Sequence, residues 1–368
     1  MKAKSTHNEG ALLKELSQER KNIKTDGYSM SIGELINLYK DDELELDPAY
    51  QRLFRWDDEQ KSKFIESILL GIPIPPIFVA QKQGGVWSIV DGVQRISTIL
   101  QLTAELKGYD PLKLTTTKKL PSLEGFDWTT LPDEIKRILR RSKLGVNIIL
   151  TENSIQAQYE LFQRLNTGGL HLEPQEIRNC LIIMLNTGFY DKINELKNYP
   201  SFIETLPLQD ERFKIEFHME LILRYFIAKY GKVDFSKYKR ANILLSEFID
   251  AETTNLIEDK SFDLDTEIKI FKKTFDWLAS TLKGNAFKKY NFEKKVFEGQ
   301  FLASSFEAIT PGVAQNINKV NKMTPRAFVN KIKEMYENEE YLTHSARGIK
   351  AVPRIQGLTA FSKRFFQI

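Results

Sequence analysis

The texture of the chain changes near residue 170, and that change limits the fold more than any other feature. Upstream, short apolar runs bounded by Pro and Gly alternate with segments of helical period; beyond His171 nearly every periodic segment is helical. Ser31-Ile32-Gly33-Glu34 has the form of a capping box and predicts a helix over about 31–40. A second helix follows Asp57-Asp58, with Phe64, Ile65, Ile68 and Leu69 as its buried stripe and Gly71 as its stop. The prolines of Ile72-Pro73-Ile74-Pro75-Pro76 forbid helix and lead into a strand at Ile77–Ala80. Gly84-Gly85 then turns the chain so that Val86–Val90 returns as the second arm of a hairpin. At Asp91-Gly92 the period becomes helical, through about residue 106, which sets Asp91-Gly92-Val93-Gln94-Arg95 at a strand-to-helix corner. Leu131–Lys143 reads as a basic helix and Val146–Leu150 as a strand. Ser154 caps a helix to about Leu165 that Thr167-Gly168-Gly169 ends. Helices are expected at 173–186, 211–230, 241–250, 266–282, 296–309, 324–337 and 355–366.

The fold class is therefore α+β. An N-terminal helical extension over 1–30 precedes an α/β domain over 31–170, and an all-helical domain with a basic tail follows over 171–368. Hydrophobic residues at 42% and charged residues at 28% exclude disorder and fibrous repeats. The net charge of +4 is too small for a polycation that coats nucleic acid, although it allows a locally basic face. Cys180 is the one cysteine, so neither a disulfide framework nor a multi-cysteine zinc site is available, and a reducing cytoplasm is the expected location. No apolar stretch approaches the roughly 18 residues of a membrane span. His7, His171, His218 and His344 lack the spacing of metal ligands.

Three constellations carry candidate chemistry. A glycine corner that leaves a strand and opens a helix presents backbone N–H groups and the positive end of the helix dipole to an anion, and Arg95 adds a planar cationic fork. Asp91 would repel phosphate there unless it holds a divalent cation or activates a water. The bland alternative is a helix-capping Asp paired with Arg95 four residues on. Tyr50-Gln51-Arg52, followed by Arg55-Trp56, suits stacking on a base and gripping a phosphate, or forms a surface loop anchored by Phe54 and Trp56. In Phe162-Gln163-Arg164-Leu165-Asn166-Thr167-Gly168-Gly169, a helix end can bring Arg164 and Asn166 toward Glu176 and Arg178 on the next helix to complete a nucleotide or metal site; the alternative is that Glu176 and Arg178 are only ion-paired helix residues.

Taken in order, these segments resemble one family. Pro48-Ala49-Tyr50-Gln51-Arg52 with Trp56, Gly71-Ile72-Pro73-Ile74-Pro75-Pro76-Ile77, Asp91-Gly92-Val93-Gln94-Arg95, and Phe162 through Gly169 with Glu176-Ile177-Arg178-Asn179 match the motifs of the GmrSD-type restriction-endonuclease N-terminal domain family. That family is similar in fold to the partition protein ParB and to sulfiredoxin. The resemblance covers about residues 30 to 185 and implies a role in bacterial defence against phage, with DGxQR engaged in nucleotide binding and hydrolysis. It implies Asp91, Gln94 and Arg95 as catalytic residues and Asp91 as the ligand of a Mg²⁺ ion. Tyr50, Gln51, Arg52, Gly92, Arg164, Asn166, Glu176 and Arg178 are implied as nucleotide-binding residues. Val93 stands where the family often has Gln. Restriction-class members often carry a second domain with a His-Asn-His nuclease centre; His344 has no second histidine near it, so that centre is not assigned.

For nucleic acid, the candidates are Lys136, Arg137, Arg140 and Arg141, and also Lys288 and Lys289, where lysines interleave with Phe287, Tyr290 and Phe292. Residues 319–368 hold ten Lys/Arg against four Glu, which predicts a basic C-terminal surface. The expected protein is an NTPase, a DNA nuclease or both, that contacts DNA. The alternatives are an adaptor that uses nucleotide as a switch, working with a nuclease or methyltransferase partner or as a homo-oligomer, and a nuclease acting through DGxQR itself.

Overall fold

The computed structural model describes residues 10, 12–14, 16, 25–46, 56–82, 84–150, 173–238 and 243–367. The chain divides into two compact units, Met1–Leu172 and Glu173–Ile368. Mixed α/β structure in the first and mostly helical structure in the second agree with the expected class.

In the first unit, β1 (Thr25–Ser31), α1 (Ile32–Lys40), β2 (Leu44–Glu45), α2 (Asp58–Leu69), β3 (Ile77–Gln81), β4 (Trp87–Asp91), α3 (Val93–Leu102), α4 (Asp133–Arg141) and β5 (Lys143–Ile149) follow in order. The strands form one sheet in the order β1-β5-β3-β4-β2. β3 and β4 are the antiparallel hairpin, β5 runs parallel to β3 with Ile77 opposite Val146, and β2 runs parallel to β4 with Leu44 opposite Trp87. Ile77, Val79, Ile89, Val146 and Ile149 are fully buried in this sheet. Ser31 caps α1 as expected, its Oγ accepting from Glu34 N at 3.2 Å, and Asp57 and Gln60 bond reciprocally at the start of α2.

Two expectations fail here. The helical extension ends before residue 25, because Thr25–Ser31 pairs antiparallel with β5 along its whole length. Gly27 admits that pairing: a Cβ on it would lie 2.7 Å from Asn147 Oδ1. The helix after the corner stops at Leu102, short of residue 106, with Ala104 in the left-handed region at φ 61. The helix expected from Ser154 to Leu165 lies outside the described residues.

The second unit comprises α5 (Pro174–Leu185), α6 (Thr187–Leu196), α7 (Pro200–Glu204), α8 (Asp210–Lys214), α9 (Phe217–Tyr230), α10 (Leu245–Glu258), α11 (Leu264–Leu282), β6 (Lys289–Asn291), β7 (Val296–Glu298), α12 (Ala303–Gln315), α13 (Ile317–Val320), α14 (Pro325–Met335), α15 (Glu339–Ser345) and α16 (Ala351–Phe365). Its core is aromatic. Phe202 meets Phe275 edge-on at 4.8 Å and Tyr225 meets Phe271 at 5.0 Å. α12 and α16 approach most closely at Gly312, whose N–H donates to Ser362 Oγ at 2.8 Å and where a Cβ would meet the Ser362 carbonyl oxygen at 2.1 Å. Cys180 is buried in α5 as a small apolar side chain.

This unit is not all-helical. The stretch expected to begin a helix at 296 is instead the second arm of the hairpin β6–β7. Asn291 Oδ1 accepts from Glu293 N and Lys294 N at 3.0 Å each, and Lys295 takes a left-handed φ of 57, so the local hydrogen bonding closes a turn where apolar period alone reads helix. The single helix expected over 211–230 breaks at Glu216, which has φ 54. Among the described residues no helix is long and apolar enough to cross a membrane.

Candidate functional site

The strand-to-helix corner forms where expected. Asp91 ends β4 opposite Phe78, at a point where the ladder with β3 shifts register. Gly92 then turns the chain at φ +95, and a Cβ there would lie 2.5 Å from Ile77 Cγ2, so backbone angle and packing both demand glycine. α3 begins at Val93, and Ile96 N is the first N–H to reach back, to Gly92 O at 2.9 Å. The first turn of the helix thus directs its N–H groups and the positive end of its dipole at the corner.

Arg95 does not present the free fork expected for phosphate. Its side chain is 5% exposed; Nη2 donates to Asp91 Oδ2 at 2.9 Å, and Nη1 donates to the carbonyls of Pro75 and Pro76, the latter at 3.2 Å. The proline segment forbids helix and leaves carbonyls without ladder partners, and the guanidinium satisfies two of them. Burial lowers the Arg95 pKa while Asp91 opposes that shift. Asp91 is not a helix cap, since Gly92 holds that position without a side-chain bond. The Asp91 side chain is 24% exposed, with Oδ2 committed to Arg95 and Oδ1 making no hydrogen bond among the described residues.

Gln94 Oε1 accepts from Trp56 N at 3.1 Å, which brings the chain just beyond the Tyr50-Gln51-Arg52 segment to the same helix end. Trp56 packs edge-on against Phe64 at 5.5 Å. Tyr50, Gln51, Arg52, Arg164 and Asn166 themselves lie outside the described residues. Among the described residues no group of three or more His, Cys, Asp or Glu side chains could hold a metal ion by itself. A cation at Asp91 would draw its remaining ligands from phosphate oxygens and water.

Glu176 and Arg178 have other duties, inside the helical unit. Glu176 Oε2 accepts from Glu173 N at 3.0 Å and caps α5. Arg178 is fully buried: Nε donates to Asp250 Oδ1 at 2.6 Å, and Nη1 reaches Gln175 Oε1 and, at 3.4 Å, Glu220 Oε2. Gln175 Nε2 donates to Asn179 Oδ1 at 2.8 Å, Asn179 Nδ2 donates to Glu216 Oε2 at 2.5 Å, and Lys197 pairs with Glu216 at 2.9 Å. At the other end Arg224 joins Glu220 to Glu307, and Arg354 bonds Glu307 through two nitrogens at 2.8 and 3.0 Å. Four cations and four carboxylates thereby form one connected, charge-balanced chain through α5, α9, α10, α12 and α16. The nucleotide-binding expectation for Arg178 is corrected by this burial. Sequence reading missed Gln175, Glu216, Glu220, Asp250 and Glu307, and named Asn179 only as part of the motif. The available signal was three long polar side chains at i, i+3 and i+4 beside the apolar run Cys180–Leu185.

Of the basic candidates, Lys136 and Arg140 lie over the Trp128 ring at 6.0 and 5.4 Å from its centroid. Arg137 and Arg141 are exposed on α4 and form no ion pair among the described residues. Lys289 is exposed at the start of β6, but two of the aromatics expected to interleave with it, Phe287 and Tyr290, are core residues.

Residues 32–183 match the family model described as GmrSD restriction endonuclease, N-terminal domain. The match runs past the division between the compact units and ends within α5. No curated protein and no solved structure matches the chain.

Proposed function

Because residues 32–183 belong to the GmrSD restriction-endonuclease N-terminal domain family, we propose that the chain is a restriction-type phage-defence protein that binds and hydrolyses a nucleoside triphosphate at the Asp91–Gly92 corner and contacts DNA. The observation that carries the reading is the division of labour within Asp91: one oxygen is fixed by Arg95 and the other is uncommitted among the described residues, beside the first turn of α3. A carboxylate held in this way keeps its orientation while phosphates bind the helix terminus. The donor set fits a Mg²⁺ ion held by Asp91 Oδ1 together with phosphate oxygens, and the ion would supply neutralisation of phosphate charge. Gln94 holds the chain at Trp56 against the corner, and Arg95 acts on the reaction through Asp91. In this reading Arg52 takes phosphate charge, Gln51 orients the nucleophile or the base, and Tyr50 completes the nucleotide-binding set. Arg137, Arg140 and Arg141 offer the basic face for DNA.

The test is phosphate release from each of the four nucleoside triphosphates with Mg²⁺, with and without plasmid DNA, for wild type and Asp91→Asn. Asparagine keeps a hydrogen bond to Arg95, whereas alanine would strand a buried guanidinium and confuse catalysis with folding. Turnover by wild type that disappears in Asp91→Asn supports the reading; equal turnover in both overturns it.

One observation favours a second reading, a nucleotide-gated DNA-binding or adaptor module. The Arg95 charge is already taken by Asp91 and two carbonyls, which leaves the corner without that arginine for charge growing on a leaving phosphate. Saturable nucleotide binding without turnover selects this reading. Metal-dependent nicking of the plasmid lost in Asp91→Asn selects a nuclease at the same site.

A further inference from the structure

A cleft of about 610 Å³ opens against the β6–β7 hairpin, lined by Lys289, Tyr290, Asn291, Phe292, Gln300 and Leu302 among others. At its rim Phe292 is 40% exposed although it sits in a closely fixed turn. The Asn291 side chain holds the next two N–H groups, and the Phe292 ring packs edge-on against Tyr290 at 4.9 Å. Tyr290 is fixed in turn by Phe297 at 4.9 Å and by Lys333, whose Nζ lies 4.8 Å from its ring centroid. A ring made rigid at the edge of a cleft and left in water is already organised for a flat partner. Lys288, Lys289 and Lys295 flank it with no ion pair among the described residues. Of the two acids beside the cleft, Glu298 is neutralised by Lys294 at 3.0 Å and bonded by Asn291 at 2.7 Å, which leaves Glu293 against three cations.

We propose that this cleft holds an unstacked base of single-stranded nucleic acid on the face of Phe292, with Gln300 near the base edge and Lys288, Lys289 and Lys295 meeting the flanking phosphates. The arrangement joins a stacking platform to a cationic border, as sequence-tolerant single-strand binding requires. An acidic peptide would use the lysines but would leave the exposed ring face without a flat partner. The inference rests on the nucleic-acid contact of the proposed function and specifies the form of nucleic acid that this unit takes.

The experiment measures anisotropy of labelled oligonucleotides, single-stranded and as the matching duplex, with the full chain as wild type, Phe292→Ala and Phe292→Trp. Phe292→Ala is expected to weaken single-strand binding about tenfold and to leave duplex binding unchanged. Phe292→Trp is expected to keep the affinity and to lose emission as the strand binds. Equal single-strand affinity for wild type and Phe292→Ala overturns the proposal. So does binding of poly-glutamate that the oligonucleotide fails to displace, which marks an acidic protein partner. Wild type that takes duplex and refuses single strands overturns the cleft assignment and leaves DNA contact standing, whereas refusal of both forms removes the two together.

Discussion

Arg178 and Asp250 form a buried pair, Nε to Oδ1 at 2.6 Å, that joins a helix inside the family-matched segment to a helix 72 residues further along the chain. The bond belongs to the core of the helical unit, and Arg178→Ala removes this cation from the buried Asp250 carboxylate. The expected loss is about 3–5 kcal/mol of stability, read from the denaturant midpoint of the second unit. An unchanged midpoint would remove the structural role assigned to Arg178.

Arg95→Lys tests whether the corner arginine serves packing. An ammonium cannot reach Asp91 and both proline carbonyls at once, so about 1–3 kcal/mol of stability is expected to be lost for each carbonyl left unpaired. The measurement is the unfolding midpoint alongside nucleotide affinity. A variant with wild-type stability and abolished affinity would return Arg95 to the phosphate.

Gly92→Ala meets two obstacles, the positive φ of +95 and the Ile77 methyl 2.5 Å from the new Cβ. Left-handed strain alone costs about 1–3 kcal/mol, so the variant is expected to unfold at clearly lower denaturant. Adding Ile77→Ala to it removes the 2.5 Å contact, leaving the Ile77 Cβ position at 3.0 Å, but not the strain. Non-additivity of the two changes in a double-mutant cycle measures the contact directly.

Asp127 provides the pH prediction. The Thr129 hydroxyl, then the Thr130 N–H and hydroxyl, hold its carboxyl down to a pKa of about 2. The folded value lies below the unfolded value of about 3.9, so the stabilising contribution is complete above about pH 4 and is lost as pH falls through the folded value. Carboxyl NMR titration should place the Asp127 midpoint near 2, and Asp127→Asn should flatten that part of the acid-unfolding curve.

Duplex binding should weaken with salt if α4 carries it. Arg137→Ala and Arg141→Ala are each expected to reduce the slope of log affinity against log salt by about 0.9, at little cost in stability because both side chains are exposed. An unchanged slope would move the DNA contact elsewhere.

The parts of the fold legible in the sequence are those written in local chemistry. Ser31, Asp57, Gly71 and the Asp91-Gly92 corner each act over a few residues, and each stands where local reasoning puts it. β1 was illegible because Thr-Asp-Gly-Tyr-Ser-Met-Ser has little strand propensity of its own and is held by a partner strand at Lys143–Ile149. The β6–β7 hairpin was hidden because its turn depends on the Asn291 side chain and a left-handed lysine, neither of which alters apolar period. At the corner the sequence shows which residues gather but not how Arg95 spends its donors, since Pro75 and Pro76 are twenty and nineteen residues away. For Arg178 and Asn179 the partners are farther still, and no local rule connects them to Asp250 or Glu216.

The polar chain through the helices also means that the matched segment ends at a boundary that cannot be cut cleanly. An excision of residues 32–183 would carry off Gln175, Arg178 and Asn179, taking Arg178 from Asp250 and Asn179 from Glu216, while Lys197 and Arg224 would still face Glu216 and Glu220. Any transplant onto a different helical unit must bring a receiving bundle with matching acids, or else surrender the last helix of the segment. The range of helical units to which this segment can be grafted is thus set by which of them can accept one arginine and one asparagine in the dark.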